Sequence, residues 1–139
     1  MSNASSNDWN DQIISEFRAN EGQVGGNFQG APLLLLHSTG AKTGVERVRP
    51  MMYRNVGTDF AVFASKAGAP KNPAWFHNLL ATPDAVVEVG TETISVHARV
   101  ISGMERKSIW EAQKTEFPGF ADYEAKTTRE IPVVILERR

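Results

Sequence analysis

Short apolar and β-branched runs, each closed by a turn that carries glycine or proline, are what most constrain the fold of this 139-residue chain. Leu33 to His37 follows Pro32 as a continuous apolar run and reads as a buried strand. Arg47 to Arg54 resumes the extended pattern, with Pro50 demanding an edge or a bulge. Asn55-Val56-Gly57-Thr58-Asp59 turns the chain back into Phe60 to Ser65. Ala85 to Val89 and Thr93 to Ile101 flank Gly90-Thr91 as a second hairpin, and Ile131 to Leu136 is a last strand. Connections this short join neighbours antiparallel, because a parallel pair needs a long crossover.

Helical patterns lie between these runs. Asp8 to Arg18 puts Ile13, Ile14 and Phe17 on one face, with Trp9 a turn earlier, and reads as a helix packing on its own domain. Asn72 is placed to cap a short helix over Pro73 to Ala81, where proline suits the first position. Ser102 and Glu105 have the spacing of a capping box for a helix over Gly103 to Glu116. Pro118-Gly119 breaks it, and a shorter helix runs on through Tyr123. Glu21 to Gly30, with four glycines, reads as a mobile loop. About six hairpin-linked strands with three or four helices predict a mainly β, α+β architecture: an antiparallel barrel with flanking helices, not a doubly wound parallel sheet.

The length suits a single domain with one core, expected over residues 8–139. Residues 1–7 are set aside as a tag remnant or disordered N-terminus, since Ser2-Asn3-Ala4 has the look of a cleavage scar. The absence of cysteine excludes disulfides, thiolate metal ligands and a cysteine nucleophile, and fits a reducing cytoplasm. The longest apolar run, Ala31 to Leu36, is far too short to span a bilayer, so no stable membrane insertion is expected. Peripheral contact with the inner face of the cell membrane is left open.

Charge is distributed unevenly. From Lys42 to Lys71 there are six basic residues against Glu46 and Asp59, in a chain whose net charge is -1. Gly40 and Gly44 bracket Ala41-Lys42-Thr43, a combination that exposes backbone N–H groups, a mobile cation and a hydroxyl to an anion. Arg47 and Arg49 share parity on the strand that follows, so their guanidinium groups leave the same face and can grip a phosphate. The spacing is neither that of a Walker A loop nor that of a Rossmann fingerprint. Ala64-Ser65-Lys66-Ala67-Gly68 ends a strand where Ser65 can offer a hydrogen bond or a proton. Lys71-Asn72-Pro73-Ala74-Trp75 sets a helix start beside a cation, with Asn78 one turn on. Phe117, Phe120 and Tyr123 cluster around the Pro-Gly break, as core or as an apolar pocket wall. His37, His77 and His97 are dispersed, so neither a metal site nor a serine–histidine triad is expected. The near-neutral balance argues against a nucleic-acid partner.

In order and spacing, several segments together resemble the deazaflavin-dependent nitroreductase family, whose members use coenzyme F420. They are Leu35-Leu36-His37-Ser38-Thr39-Gly40-Ala41-Lys42-Thr43-Gly44, Arg47-Val48-Arg49-Pro50, Ala64-Ser65-Lys66, Lys71-Asn72-Pro73-Ala74-Trp75, Phe120-Ala121-Asp122-Tyr123 and Arg129-Glu130-Ile131-Pro132-Val133-Val134. The resemblance runs from about Asn10 onward. It implies a split antiparallel β-barrel, like that of FMN-binding proteins, and a reductase that passes a hydride from reduced F420 to a quinone, an activated enone or a nitroaromatic.

It also implies that Lys42 and Arg47 hold the phosphate and acidic tail, with Ala41 and Thr43 among the coenzyme-binding residues. Val48, Arg49, Pro50, Met51 and Met52 would follow the coenzyme, as would Phe63, Ala64, Ser65 and Lys66. Ala74, Trp75, Phe76, His77 and Asn78 would complete its site, with Phe120 a further coenzyme contact that also forms, with Phe117, an apolar substrate wall. Ser65 and Tyr123 are the candidate catalytic groups, and Phe17, Phe117 and Tyr123 the candidate substrate contacts. Members that reduce bulky nitroimidazoles carry tyrosines where Phe117 and Phe120 stand, an asparagine is common at the place of Arg49, and some have a tryptophan at that of Lys126. An FMN-dependent oxidoreductase on the same barrel and a non-catalytic deazaflavin carrier are the alternatives, as monomer or homodimer.

Overall fold

The computed structural model describes residues 6–25 and 32–139. The strands are β1 (Leu33–Thr39), β2 (Glu46–Met52), β3 (Arg54–Val56), β4 (Asp59–Phe63), β5 (Asp84–Val89), β6 (Glu92–Ile101) and β7 (Val133–Arg138). The helices are α1 (Ser6–Ala19), α2 (Ala74–Ala81), α3 (Gly103–Glu116) and α4 (Gly119–Ala125), and a 3-10 turn covers Lys66–Gly68. One sheet of seven strands runs in the order β2-β1-β5-β6-β7-β4-β3, every neighbouring pair antiparallel.

That order forces curvature. β2 and β3 stand at opposite ends of the sheet, yet only Tyr53 separates them. Seven strands laid flat would hold those ends roughly 29 Å apart, whereas one linking residue reaches about 7 Å. The sheet therefore rolls until its edges meet, which makes it the half-closed antiparallel barrel of the split-barrel class. The continuous strand expected over Arg47 to Arg54 is accordingly two strands. Tyr53 leaves the ladder, donates its N–H to the Pro32 carbonyl at 3.1 Å, and sends β3 to pair with β4 at the far edge. That division raises the strand number from the expected six to seven. Gly57, at φ +63, closes the β3–β4 hairpin.

Strand alternation divides the apolar residues among three layers. Leu34, Leu36, Phe60, Val62, Ala64, Val87, Val96, Val134 and Leu136 fill the barrel, and Phe76 and Leu79 of α2 stopper it. Ala61, Phe63, Val133 and Ile135 face outward under α3 and α4, where they meet Trp110 and Phe120. Leu33 and Leu35 face α1 and meet Ile13 and Phe17. α1 is thus a packing helix, as its periodicity predicts. Arg18 ties it to the sheet through a bidentate contact to Glu88, at 3.1 and 2.6 Å.

Some local expectations change. α1 begins at Ser6, so Ser6 and Asn7 belong to the helix. The expected loop is described only as far as Gly25, its remainder lying outside the described residues. Neither side-chain cap forms. Asn72 spends its carboxamide oxygen on Arg129, at 2.7 Å, and Glu105 closes bidentately on Arg99, at 3.0 and 2.9 Å. In both places a guanidinium outcompetes a helix N–H, because a charge-assisted bond is the stronger one.

Candidate functional site

β1 ends in a turn that only glycine allows. Gly40 donates to the Val45 carbonyl, and Gly44 donates to the Gly40 carbonyl, each at 2.8 Å. The Val45 N–H donates to Thr43 Oγ1 at 3.2 Å. A Cβ on Gly40 would stand 2.7 Å from that hydroxyl and 3.2 Å from the Val45 carbonyl. The turn therefore folds back tightly and leaves Ala41, Lys42 and Thr43 exposed.

β2 then returns along β1, with Ser38 opposite Arg47 and Leu36 opposite Arg49. Cross-strand partners share a face, and Leu36 points into the barrel. Arg47, Arg49 and Met51 thus leave β2 on the inner side, as their parity predicts. Val48 and Met52 leave on the other side and pack against the α1 layer, so towards the inner face Val48 offers only backbone. Opposite Arg47, the Ser38 hydroxyl is buried without a hydrogen-bond partner among the described residues.

α2 supplies the facing wall. Asn78 is buried and accepts the Ala41 N–H on Oδ1 at 2.9 Å, which anchors the turn to the helix. Between them lies a cavity of about 580 Å³, lined by Gly40 to Thr43, Arg47, Arg49, Ala74, Trp75, His77 and Asn78. Phe76 turns away from it into the barrel core.

Among the described residues, Lys42, Arg47, Arg49, Lys66 and Lys71 form no ion pair, whereas Arg18, Arg54, Arg99, Arg106 and Lys114 each meet a carboxylate. Three of these unpaired cations, Lys42, Arg47 and Arg49, converge on the cavity. Like charges held together without counter-charge favour an anionic occupant, and Trp75 adds a flat apolar face for a ring. Among the described residues no cluster could hold a metal ion.

The second group predicted from the sequence sits at the end of β4. Phe63 points outward into the layer of Trp110 and Phe120, with ring centroids 5.7 and 5.6 Å away. Ala64 points into the barrel, and Ser65 is 8% exposed. Lys66 and Ala67 both adopt the left-handed conformation, at φ 47 and 53. Gly68 follows at φ +82, where a Cβ would meet the Tyr123 carbonyl at 2.7 Å. Tyr123 is partly buried and packs edge-on against Phe120, 5.4 Å between centroids.

The candidate substrate residues do not share one cavity. Phe17 is 1% exposed within the α1 layer, because its helix face must cover Leu33 and Leu35. Phe120 is buried under α3 for the same kind of reason. Phe117 borders a separate cavity with Tyr53, Arg54 and Glu116. Sequence reading missed the role of Arg129, which bonds the 64–72 segment from a distance of some 60 residues along the chain. It stands in an irregular stretch with no periodicity to mark it.

Residues 9–138 match the family described as F420H(2)-dependent quinone reductase. An F420H(2)-dependent quinone reductase of Mycobacterium tuberculosis is 36% identical over 127 residues, spanning 88% of this chain and 85% of that protein. A solved F420-H2 dependent reductase, FDR-A, superposes with a TM-score of 0.70 at 38% identity, covering 76% of this chain and 94% of that one. A solved domain-swapped dimer superposes with a TM-score of 0.72 at 35% identity, covering 96% of this chain and 100% of that one. With the rolled antiparallel sheet and the cation-lined cavity, these likenesses establish that the chain belongs to the F420H(2)-dependent quinone reductase family.

Proposed function

We propose that this protein binds coenzyme F420 across the cavity between the 39–45 turn, β2 and α2, and reduces a small conjugated acceptor: a quinone, an activated enone or a nitroaromatic. The observation that carries the reading is the convergence of Lys42, Arg47 and Arg49, all without carboxylate partners among the described residues, on a cavity walled by Trp75. The donor set fits the group, because F420 joins a planar ring to a phosphate and an acidic tail. When bound in its reduced form, the coenzyme supplies a hydride from C5 of its ring.

The chain's own contribution is to bind, orient and exclude water. Lys42, Arg47 and Arg49 hold the anionic tail. Ala41 and Thr43 border it, and Trp75 with Ala74 confines the neighbouring part of the molecule. The backbone from Ala64 to Lys66 receives the ring. We assign to the Ser65 hydroxyl and the Tyr123 phenol the holding or delivery of a proton at the acceptor oxygen. The domain-swapped assembly of the solved relative makes a homodimer the first assembly to test for.

Titration of the purified protein with oxidised F420 and, separately, FMN, followed by fluorescence, tests the reading. Tight binding of the deazaflavin and weak binding of FMN is the expected result. Oxidation of reduced F420 should then depend on added quinone or enone. Preference for FMN would keep the barrel and overturn the coenzyme, and binding without turnover on any acceptor would leave a carrier.

A further inference from the structure

Arg129 is the most heavily engaged side chain of the described residues that lies outside the cation-lined cavity. Its Nε donates to the Ala69 carbonyl at 2.9 Å, and its Nη2 to the Ser65 carbonyl at 2.8 Å. Its Nη1 donates to Asn72 Oδ1 at 2.7 Å and to the Ala64 carbonyl at 3.2 Å. All four acceptors belong to one irregular segment, 64–72, and all are neutral. Among the described residues no carboxylate pairs with Arg129. Burial lowers its pKa from the usual arginine value, and no counter-charge offsets that cost.

The direction of those carbonyls has a consequence. In a planar trans peptide, the C=O of one residue and the N–H of the next point to opposite sides. With the Ala64 and Ser65 carbonyls drawn onto the guanidinium, the N–H groups of Ser65 and Lys66 face away from it. Neither has a protein acceptor among the described residues. Ser65 is right-handed, at φ -76 and ψ -39, while Lys66 is left-handed, at φ 47. A right-handed residue followed by a left-handed one curls successive N–H groups into a concavity that attracts oxygen lone pairs and anions. Two consecutive non-glycine residues in the left-handed region do not hold that shape unaided.

We propose that Arg129 is the positioning residue of this segment. It pins the 64–72 backbone from beneath, so that the Ser65 and Lys66 N–H groups form a preformed concavity, backed by an unneutralised positive charge, that would hold an electron-rich acceptor atom of the coenzyme ring. The ligand named here rests on the coenzyme reading above. The ordering of the segment does not.

Arg129→Gln and Arg129→Lys variants, checked for folding by circular dichroism, separate the two. Amide hydrogen exchange on the coenzyme-free protein should accelerate about tenfold or more at Gly68 and Ala69 in Arg129→Gln, because their N–H groups donate to the Ser65 and Lys66 carbonyls at 2.9 and 3.0 Å and the charge-assisted bonds that hold this segment are lost. Exchange in β1 and β5 should stay unchanged. Affinity for oxidised F420 should fall about tenfold, with part of it recovered in Arg129→Lys, which keeps the charge without the planar fork. If Arg129→Gln fails to fold, Arg129→Lys and Asn72→Leu carry the same comparison. Folded variants with wild-type exchange overturn the ordering role. Faster exchange with unchanged coenzyme affinity overturns the binding role. A wild-type protein that does not bind F420 overturns the coenzyme reading and with it the ligand, while the exchange result still decides the ordering.

Discussion

Asn78 Oδ1 accepts the backbone N–H of Ala41 at 2.9 Å, and through that bond α2 holds the turn that carries Lys42. Asn78 is 9% exposed but Ala41 is exposed, so the bond is buried at its acceptor end only. Replacing Asn78 with leucine would remove that bond, at a cost of about 1 kcal/mol. The expected outcome is a modest fall in thermal stability together with an F420 affinity weakened roughly fivefold to tenfold. Parallel melting and fluorescence titration measure both. A fall in stability with full affinity would mean that the turn does not take part in coenzyme binding.

Lys42 and Arg47 make no ion pair among the described residues, so their removal should not harm the fold. Each should instead contribute a charge-assisted contact to a bound anion. The Lys42→Ala, Arg47→Ala double variant is expected to melt as the wild type does and to bind F420 about a hundredfold more weakly. The dependence of its affinity on salt should flatten. Wild-type affinity in this variant would move the anion site elsewhere.

Glu88 sits between Arg18 and His37, with His37 Nε2 at 2.6 Å. The hydrogen bond from Arg18 holds its carboxyl below the usual value of 4.5, against the upward push of burial and with further help from His37. The unfolded chain therefore binds this proton more readily than the folded one. The stability it contributes is complete above about pH 4.5 and is lost as pH falls through the lower, folded-state value. Glu88→Gln should be less stable than the wild type at pH 7 and equally stable at strongly acid pH. Melting curves across that range test this. A difference that persists at acid pH would show that Glu88 acts through packing, not charge.

Gly68 tolerates no side chain. Its φ of +82 disfavours any L-residue, and a Cβ would stand 2.7 Å from the Tyr123 carbonyl and 2.9 Å from Lys126 Cβ. Gly68→Ala should destabilise by about 2–4 kcal/mol, from left-handed strain and overpacking together. Because the displaced neighbour carries Tyr123, turnover should suffer beyond the loss of stability. Comparison of kcat below the melting range with F420 affinity separates the two effects.

What could be read from the sequence is what short-range rules govern. The period-2 runs and the turns at Gly57 and Gly90 identify the hairpins, because a two-residue connection leaves its strands no other partner. The face shared by Arg47 and Arg49 follows from parity alone, and the glycines around Lys42 mark a turn wherever it is placed. The cavity's cations were therefore legible in one dimension. Tertiary structure decided the rest. It broke the second strand at Tyr53, since the edges of a rolled sheet must be joined by a chain that leaves one and enters the other. It sent Phe17 and Phe120 into packing layers, because an amphipathic face is spent on whatever apolar surface meets it. It took Asn72 from its helix and gave it to Arg129, a contact 57 residues away in sequence. Bonds of that reach obey no local period; they depend on which surfaces the rolled sheet brings together.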